Sequence, residues 1–284
     1  VVADACGAAG EGPRDHDLRQ AQRPDVRANG AQRAATAAEA ATAADVLITM
    51  LPGPAEVVEA MVGADALRAL RRGTTWIDMS SSTAAAAEPV RLLAVERGVD
   101  VLDAPVGGGV AAAEDGTPAF FAEVLDRYRA VFDALGERDR LVHVGGPGTG
   151  YTTKLLVNLL WFGQAIATAE VLLLGKRSGI DLEVLRGALA DSAAASRFIR
   201  RDLDALFAGD YMTSFELDRV CEELANVTAQ AREHSVPFEL SDLVERINRR
   251  ALSRYGPVGG ELLAVALLEE EAGTTLRPGG HGAG

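Results

Sequence analysis

The stretch that most constrains this chain is Leu155–Leu174, LLVNLLWFGQAIATAEVLLL, in which Asn158, Gln164 and Glu170 break an otherwise apolar run. A run of this length could cross a bilayer, but each of those three side chains would be costly in lipid. The sequence has no second stretch of the kind, and no signal-peptide pattern opens it. The run is therefore read as a buried helix, with no membrane partner.

A helix this apolar needs others to cover it, and the residues beyond supply them. Leu182–Leu189, Phe198–Phe207, Phe215–His234, Ser241–Arg254 and Gly260–Ala272 each carry helical periodicity between Gly, Pro or Asp breakers. Together with Leu155–Leu174 they present more apolar stripe than one small helical domain buries, so a homodimer is expected. From Thr274 to Gly284 the chain is short, polar and rich in glycine, and is expected to be disordered.

The residues before the long run follow a different pattern. Asp45–Leu51 (DVLITML) reads as a strand stopped by Pro52-Gly53-Pro54, and residues 55–71 as a helix closed by Gly73. Thr74–Met79 is a second strand, Ala85–Arg97 a helix, and Val99–Val106 a third strand entering Gly107-Gly108-Gly109. A helix at Glu123–Leu135 and a strand at Leu141–Val144 lead to a hinge at Gly145–Gly150. Apolar strands alternating with helices imply a parallel sheet covered on both faces, wound by right-handed crossovers.

The fold class is thus an α/β Rossmann-like parallel-sheet domain followed by an all-α domain, with expected limits of 1–148 and 149–272 and a tail over 273–284. The opening is the least regular part. Ala34–Ala44 is helix-compatible, but Val1–Asn29 holds no convincing strand after Val1-Val2 and does not read as the start of a dinucleotide domain.

Charge and cysteine usage exclude several functions. Against 28 Lys and Arg stand 41 Asp and Glu, a net charge of −13 that repels nucleic acid. Cys6 and Cys221 make no disulfide framework, and no Cys/His cluster stands at zinc spacing, so no metal is expected and a reducing, cytoplasmic setting follows.

For chemistry the informative pair is Lys154 and Asn158, four apart and so on one side of a helix. A lysine facing a desolvated cleft loses affinity for its proton and can exchange it near neutral pH. The plain alternative is that Lys154 marks the solvated first turn. Asn158 argues back, because an amide within an apolar run needs a partner. Tyr151, Trp161 and Phe162 could shape a pocket, although aromatic side chains on such a helix are more often core.

The segment Gly145-Gly146-Pro147-Gly148-Thr149-Gly150-Tyr151-Thr152-Thr153-Lys154-Leu155-Leu156-Val157-Asn158 resembles the catalytic signature of the β-hydroxyacid dehydrogenases. Asp103-Ala104-Pro105-Val106-Gly107-Gly108-Gly109 is similar to that family's substrate loop. Ile77-Asp78-Met79-Ser80-Ser81 and Asp45–Pro52 are similar to its cofactor-side strand ends. The likeness spans roughly residues 30 to 272, and ordered motifs are more specific together than singly. It implies hydride transfer between NAD or NADP and a small 3-hydroxy acid or its carbonyl form. Lys154 would be the general acid/base, Asn158 and Gly107, Gly108 and Gly109 would hold the substrate, and Leu51, Pro52 and Ser81 would line the cofactor.

Four departures temper that reading. Gly7-Ala8-Ala9-Gly10-Glu11-Gly12 lacks the G-x-G-x-x-G spacing, and Glu11 would repel phosphate. Gly107 stands where the family has serine, and Glu222 where it commonly has a lysine near the nicotinamide. The segment after Gly116-Thr117 runs almost directly into a helix, where the family usually has another strand. A truncated or out-of-frame first β-α-β unit would explain the opening. Two other functions stay open: a non-catalytic dimeric relative without a cofactor cradle, and an imine reductase-like enzyme, against which retained Lys154 and Asn158 speak.

Overall fold

The computed structural model describes residues 33–108, 117–122, 128–136 and 138–278, with Val2, Ala3, Ala112 and Asp115. The chain divides into two compact units, Val1–Lys154 and Leu155–Gly284, so the division falls six residues beyond the expected 148/149.

In the first unit, β1 (Val2–Ala3) pairs in parallel with β2 (Arg33–Ala34). The segment Gly7–Gly12 between them, with Glu11, lies outside the described residues. Helix α1 (Ala37–Thr42) follows, capped by the Thr36 hydroxyl accepting from the backbone N–H of Glu39. Strands β3 (Val46–Thr49), β4 (Thr75–Asp78) and β5 (Asp100–Asp103) then form a parallel sheet in the order β3-β4-β5. Residues of β4 are buried throughout, as a central strand covered on both faces requires. Trp76 packs with Val57, Leu67 and Val90 on one side, while Ile77 packs with Leu102 and Phe132 on the other.

The expected single helix over 55–71 is broken. It consists of α2 (Pro54–Val58), a π turn at Glu59–Gly63 and α3 (Ala66–Ala69), with Asp65 left-handed at φ 57° between them. The apolar spacing survives the break, because Val57, Met61 and Leu67 all reach the same core. Helix α4 (Ala84–Glu96) begins where the Thr83 hydroxyl accepts from Ala86 N–H, so the Ser80–Thr83 stretch does provide a helix cap.

The third expected strand, Val99–Val106, is two. After β5 the chain turns at Ala104-Pro105 into β6 (Val106–Gly107), which belongs to another sheet. There β6 pairs antiparallel with β7 (Ala119–Ala122), and β7 pairs parallel with β8 (Leu141–His143). Strand β7 corrects the expectation that the segment after Gly116-Thr117 runs almost directly into a helix. The parallel arrangement therefore holds for β3-β4-β5, and the second sheet is mixed. Helix α5 (Arg129–Leu135) backs it through Phe132, whose ring meets that of Phe120 at 5.4 Å.

Helix α6 (Thr149–Arg177) starts in the first unit and runs on as the axis of the second. By length and composition it could cross a membrane. It is not buried all round: Leu155, Leu159, Phe162, Ala165, Ala169 and Leu172 enter the core, while Leu156, Leu160 and Leu174 are exposed. Around it lie α7 (Leu182–Ala190), a π turn at Phe198–Asp202 continuing into α8 (Leu203–Ala208), α9 (Leu217–Glu233), α10 (Glu239–Tyr255) and α11 (Leu263–Ala272).

Part of the tail expected to be disordered is docked. Leu276 is fully buried, and its backbone N–H donates to Glu269. Arg277 donates to the Leu206 carbonyl at 2.8 Å and to the Tyr211 hydroxyl at 2.9 Å. Residues 279–284 lie outside the described residues.

Candidate active site

Doubly wound sheets place their chemistry at the carboxyl ends of parallel strands. Here those ends carry Thr49 on β3, Asp78 on β4 and Asp103 on β5, all buried. They are polar because they hold the connections that leave the sheet.

The Asp103 carboxylate accepts from the backbone N–H groups of Gly148 and Gly150 at 2.8 Å and of Tyr151 at 3.2 Å. These donors open α6 and have no carbonyl one turn back. A side chain from another strand thus caps this helix, and its negative charge suits the positive end of the helix dipole. Gly150 permits the approach: a Cβ there would stand 2.4 Å from the Phe121 carbonyl oxygen and 2.6 Å from Asp103 Oδ2.

Asp78 makes the second tie. It accepts from the Thr49 hydroxyl at 2.8 Å, the Ser80 N–H at 3.0 Å and the Tyr151 hydroxyl at 2.6 Å. Thr49 in turn accepts from the Trp76 indole N–H at 2.8 Å. Burial and the Asp78 carboxylate push the Tyr151 phenol far above its usual range. A cavity of about 40 Å³ lies beside these groups, lined in part by Trp76, Arg91, Asp103 and Tyr151. It is large enough to hold water.

Lys154 sits one turn after Gly150 on α6, half-buried rather than in a solvated first turn. The loop leaving β5 reaches Gly107 and Gly108 within five residues of Asp103. Gly107 is buried, and a Cβ on it would come 3.1 Å from the Phe121 ring, so the missing serine coincides with a tight strand exit. Gly108 has φ +107°, a conformation that favours glycine. Gly109 lies outside the described residues.

On the cofactor side, the backbone N–H of Leu51 donates to Ser80 Oγ at 3.0 Å, joining the ends of β3 and β4. Pro52 is exposed, and Leu51 and Ser81 are half-exposed. Leu51, Pro52 and Ser81 are uncharged and stand just past the ends of two adjacent parallel strands.

In the second unit, Asn158 has the partner its setting demanded. Its amide N–H donates to Glu223 Oε2 at 2.7 Å. Glu222, at the family's lysine position, is exposed and pairs with Arg219 at 3.1 Å. Phe162 is core, and Trp161 packs edge-on against Phe162 and Phe198 while donating to Asp202, so neither ring forms an open pocket wall. Burial raises the Cys221 thiol to about 11, which leaves it inert at neutral pH. No metal-binding cluster occurs among the described residues.

Asp78 and Asp103 stand within the family-like motifs of the sequence, which assign them no role, and Glu223 is masked there by its neighbour Glu222. Acidic residues closing buried strands were the available signal for the first two, since a buried charge needs donors.

Comparison with known proteins agrees with this architecture. Residues 8–145 match the family described as the NAD binding domain of 6-phosphogluconate dehydrogenase. Residues 148–267 match that described as NAD-binding of NADP-dependent 3-hydroxyisobutyrate dehydrogenase. The chain is 29% identical to 2-(hydroxymethyl)glutarate dehydrogenase of Eubacterium barkeri over 237 residues, covering 81% of this chain and 78% of that one. It is 30% identical to mitochondrial 3-hydroxyisobutyrate dehydrogenase of Mus musculus over 237 residues, 79% of this chain and 70% of the relative. A crystal structure of 3-hydroxyisobutyrate dehydrogenase from Salmonella typhimurium shares the fold with a TM-score of 0.75 at 23% identity, covering 86% of each chain. With strand ends, glycine loop and lysine helix arranged in that order, the chain belongs to the β-hydroxyacid dehydrogenase family of NAD(P)-dependent oxidoreductases.

Proposed function

We propose that this enzyme moves hydride between NAD or NADP and a small 3-hydroxy acid or its carbonyl form. The observation that carries the reading is the fastening of α6 to the strand ends by Asp103, which sets Lys154 one turn from the β5 exit that leads into Gly107 and Gly108. Both relatives described above are named for substrates with a hydroxymethyl group on the carbon beside a carboxylate.

When bound, the nicotinamide supplies the hydride acceptor or donor, and Leu51, Pro52 and Ser81 would hold it. Lys154 takes the proton from the alcohol oxygen during oxidation and returns it during reduction, and its positive form stabilises negative charge on that oxygen. Asn158, one helical turn on, holds the substrate beside the amine. The N–H groups of Gly108 and Gly109 receive the carboxylate, next to Gly107 in the same substrate loop. The imine reductase-like alternative is disfavoured by the retention of Lys154 and Asn158.

The exposed stripe of Leu156, Leu160 and Leu174 supports a homodimer formed through α6. We also propose a cytoplasmic setting, a reading supported by the cysteine-poor composition.

Titration with NADH and NADPH, followed by ligand fluorescence, tests the assignment. Saturation in the micromolar range is expected; no binding at millimolar cofactor would make this chain a non-catalytic relative instead.

A further inference from the structure

Helices α6 and α9 meet along an apolar seam in which Leu155, Leu159 and Phe162 pack with Leu217, Val220 and Leu224. Within that seam Asn158 and Glu223 face each other at 2.7 Å, and only 8% of Glu223 is exposed. One carboxylate oxygen takes the amide N–H. The other, Oε1, is buried, and among the described residues no donor reaches it. A half-satisfied buried carboxylate is costly, and a neutral side chain of the same size would serve the packing at least as well. Stability therefore does not account for the acid at this position.

What a carboxylate supplies, and a neutral amide does not, is direction. It only accepts, so it fixes the NH2 arm of Asn158 toward itself and sends the carbonyl arm the other way. We infer that Glu223 is a positioning residue that locks the Asn158 amide in one of its two orientations, and so determines how tightly the hydroxy acid is held. This rests on the substrate-holding role proposed for Asn158.

The experiment uses the full chain, with whichever of 3-hydroxyisobutyrate and 2-(hydroxymethyl)glutarate turns over faster as the probe. Glu223→Gln is nearly isosteric and removes a buried charge. Its amide can donate as well as accept, so Asn158 is free to flip. The expected result is a KM raised about three- to tenfold, with NADH affinity unchanged and a melting temperature equal to or above that of the unsubstituted protein. In an Asn158→Ala background, Glu223→Gln should then change KM by less than about twofold, since the two act through one contact. An unchanged KM in the single variant, or equal losses in both backgrounds, would overturn the inference and leave the substrate-holding role of Asn158 standing. If Asn158→Ala alone leaves KM unchanged, that role itself fails, and the inference goes with it.

Discussion

The Tyr151 hydroxyl donates to Asp78 at 2.6 Å, so a side chain on the first turn of α6 is bonded to the end of the central strand of β3-β4-β5. Tyr151→Phe removes this donor and leaves the rest of the Asp78 network in place. The loss should be about 1–3 kcal/mol, read from the urea midpoint. The same pair sets an alkaline limit. Because the folded-state phenol is held above its ordinary pKa, the contribution is complete below the unfolded value of about 10. It is then lost as pH climbs from there toward the folded pKa, since the unfolded chain releases a proton that the folded one keeps. Stability should fall more steeply above that pH in the unsubstituted protein than in Tyr151→Phe, and parallel slopes would contradict the account.

Asp103→Ala strips three N–H donors of their acceptor at once. We expect a cost of about 2–4 kcal/mol, and a fall in turnover larger than in cofactor affinity, because Lys154 loses its anchor before the strand ends lose theirs. Equal losses in both would mean that the sheet, rather than the helix start, is disturbed.

Lys154→Ala should lower kcat by about 10²- to 10⁴-fold and leave NADH binding nearly intact. Fluorescence titration alongside steady-state rates separates the two effects. A variant with full turnover would remove Lys154 from the chemistry.

Leu276→Ala tests the docked end of the chain. A fully buried leucine is worth about 2–5 kcal/mol on truncation, whereas a side chain in a disordered tail is worth almost nothing. Thermal melting distinguishes the two.

The parts of this fold legible in the sequence are those in which one face or one run is uniformly apolar. Val46–Thr49, Thr75–Asp78 and the α6 run stand out as apolar runs between Gly, Pro and Asp breakers, although of the three only Thr75–Asp78 is buried throughout. Strand β7 escaped because AFFA is only four residues long and follows a proline, too short for any period to emerge. The break in residues 55–71 escaped because a π turn and a left-handed Asp65 re-phase the backbone while keeping Val57, Met61 and Leu67 on the core side.

In the site, Lys154 and Asn158 were visible through their spacing, since two polar groups on one side of an apolar helix are conspicuous. Glu223 was not. Next to Glu222 it reads as part of a solvated face, and only the packing of α9 turns one of the two acids inward beside Leu224.

The carboxylate of Asp103 also limits what the long helix can recruit. The start of such a helix is ordinarily a ready receptor for phosphate or carboxylate groups of a ligand. Here Gly148, Gly150 and Tyr151 already direct their N–H groups at an internal anion. An arriving acid would meet negative charge at that point, so any anionic group that this protein recognises must be received elsewhere. The helix start is committed to holding the molecule's own geometry.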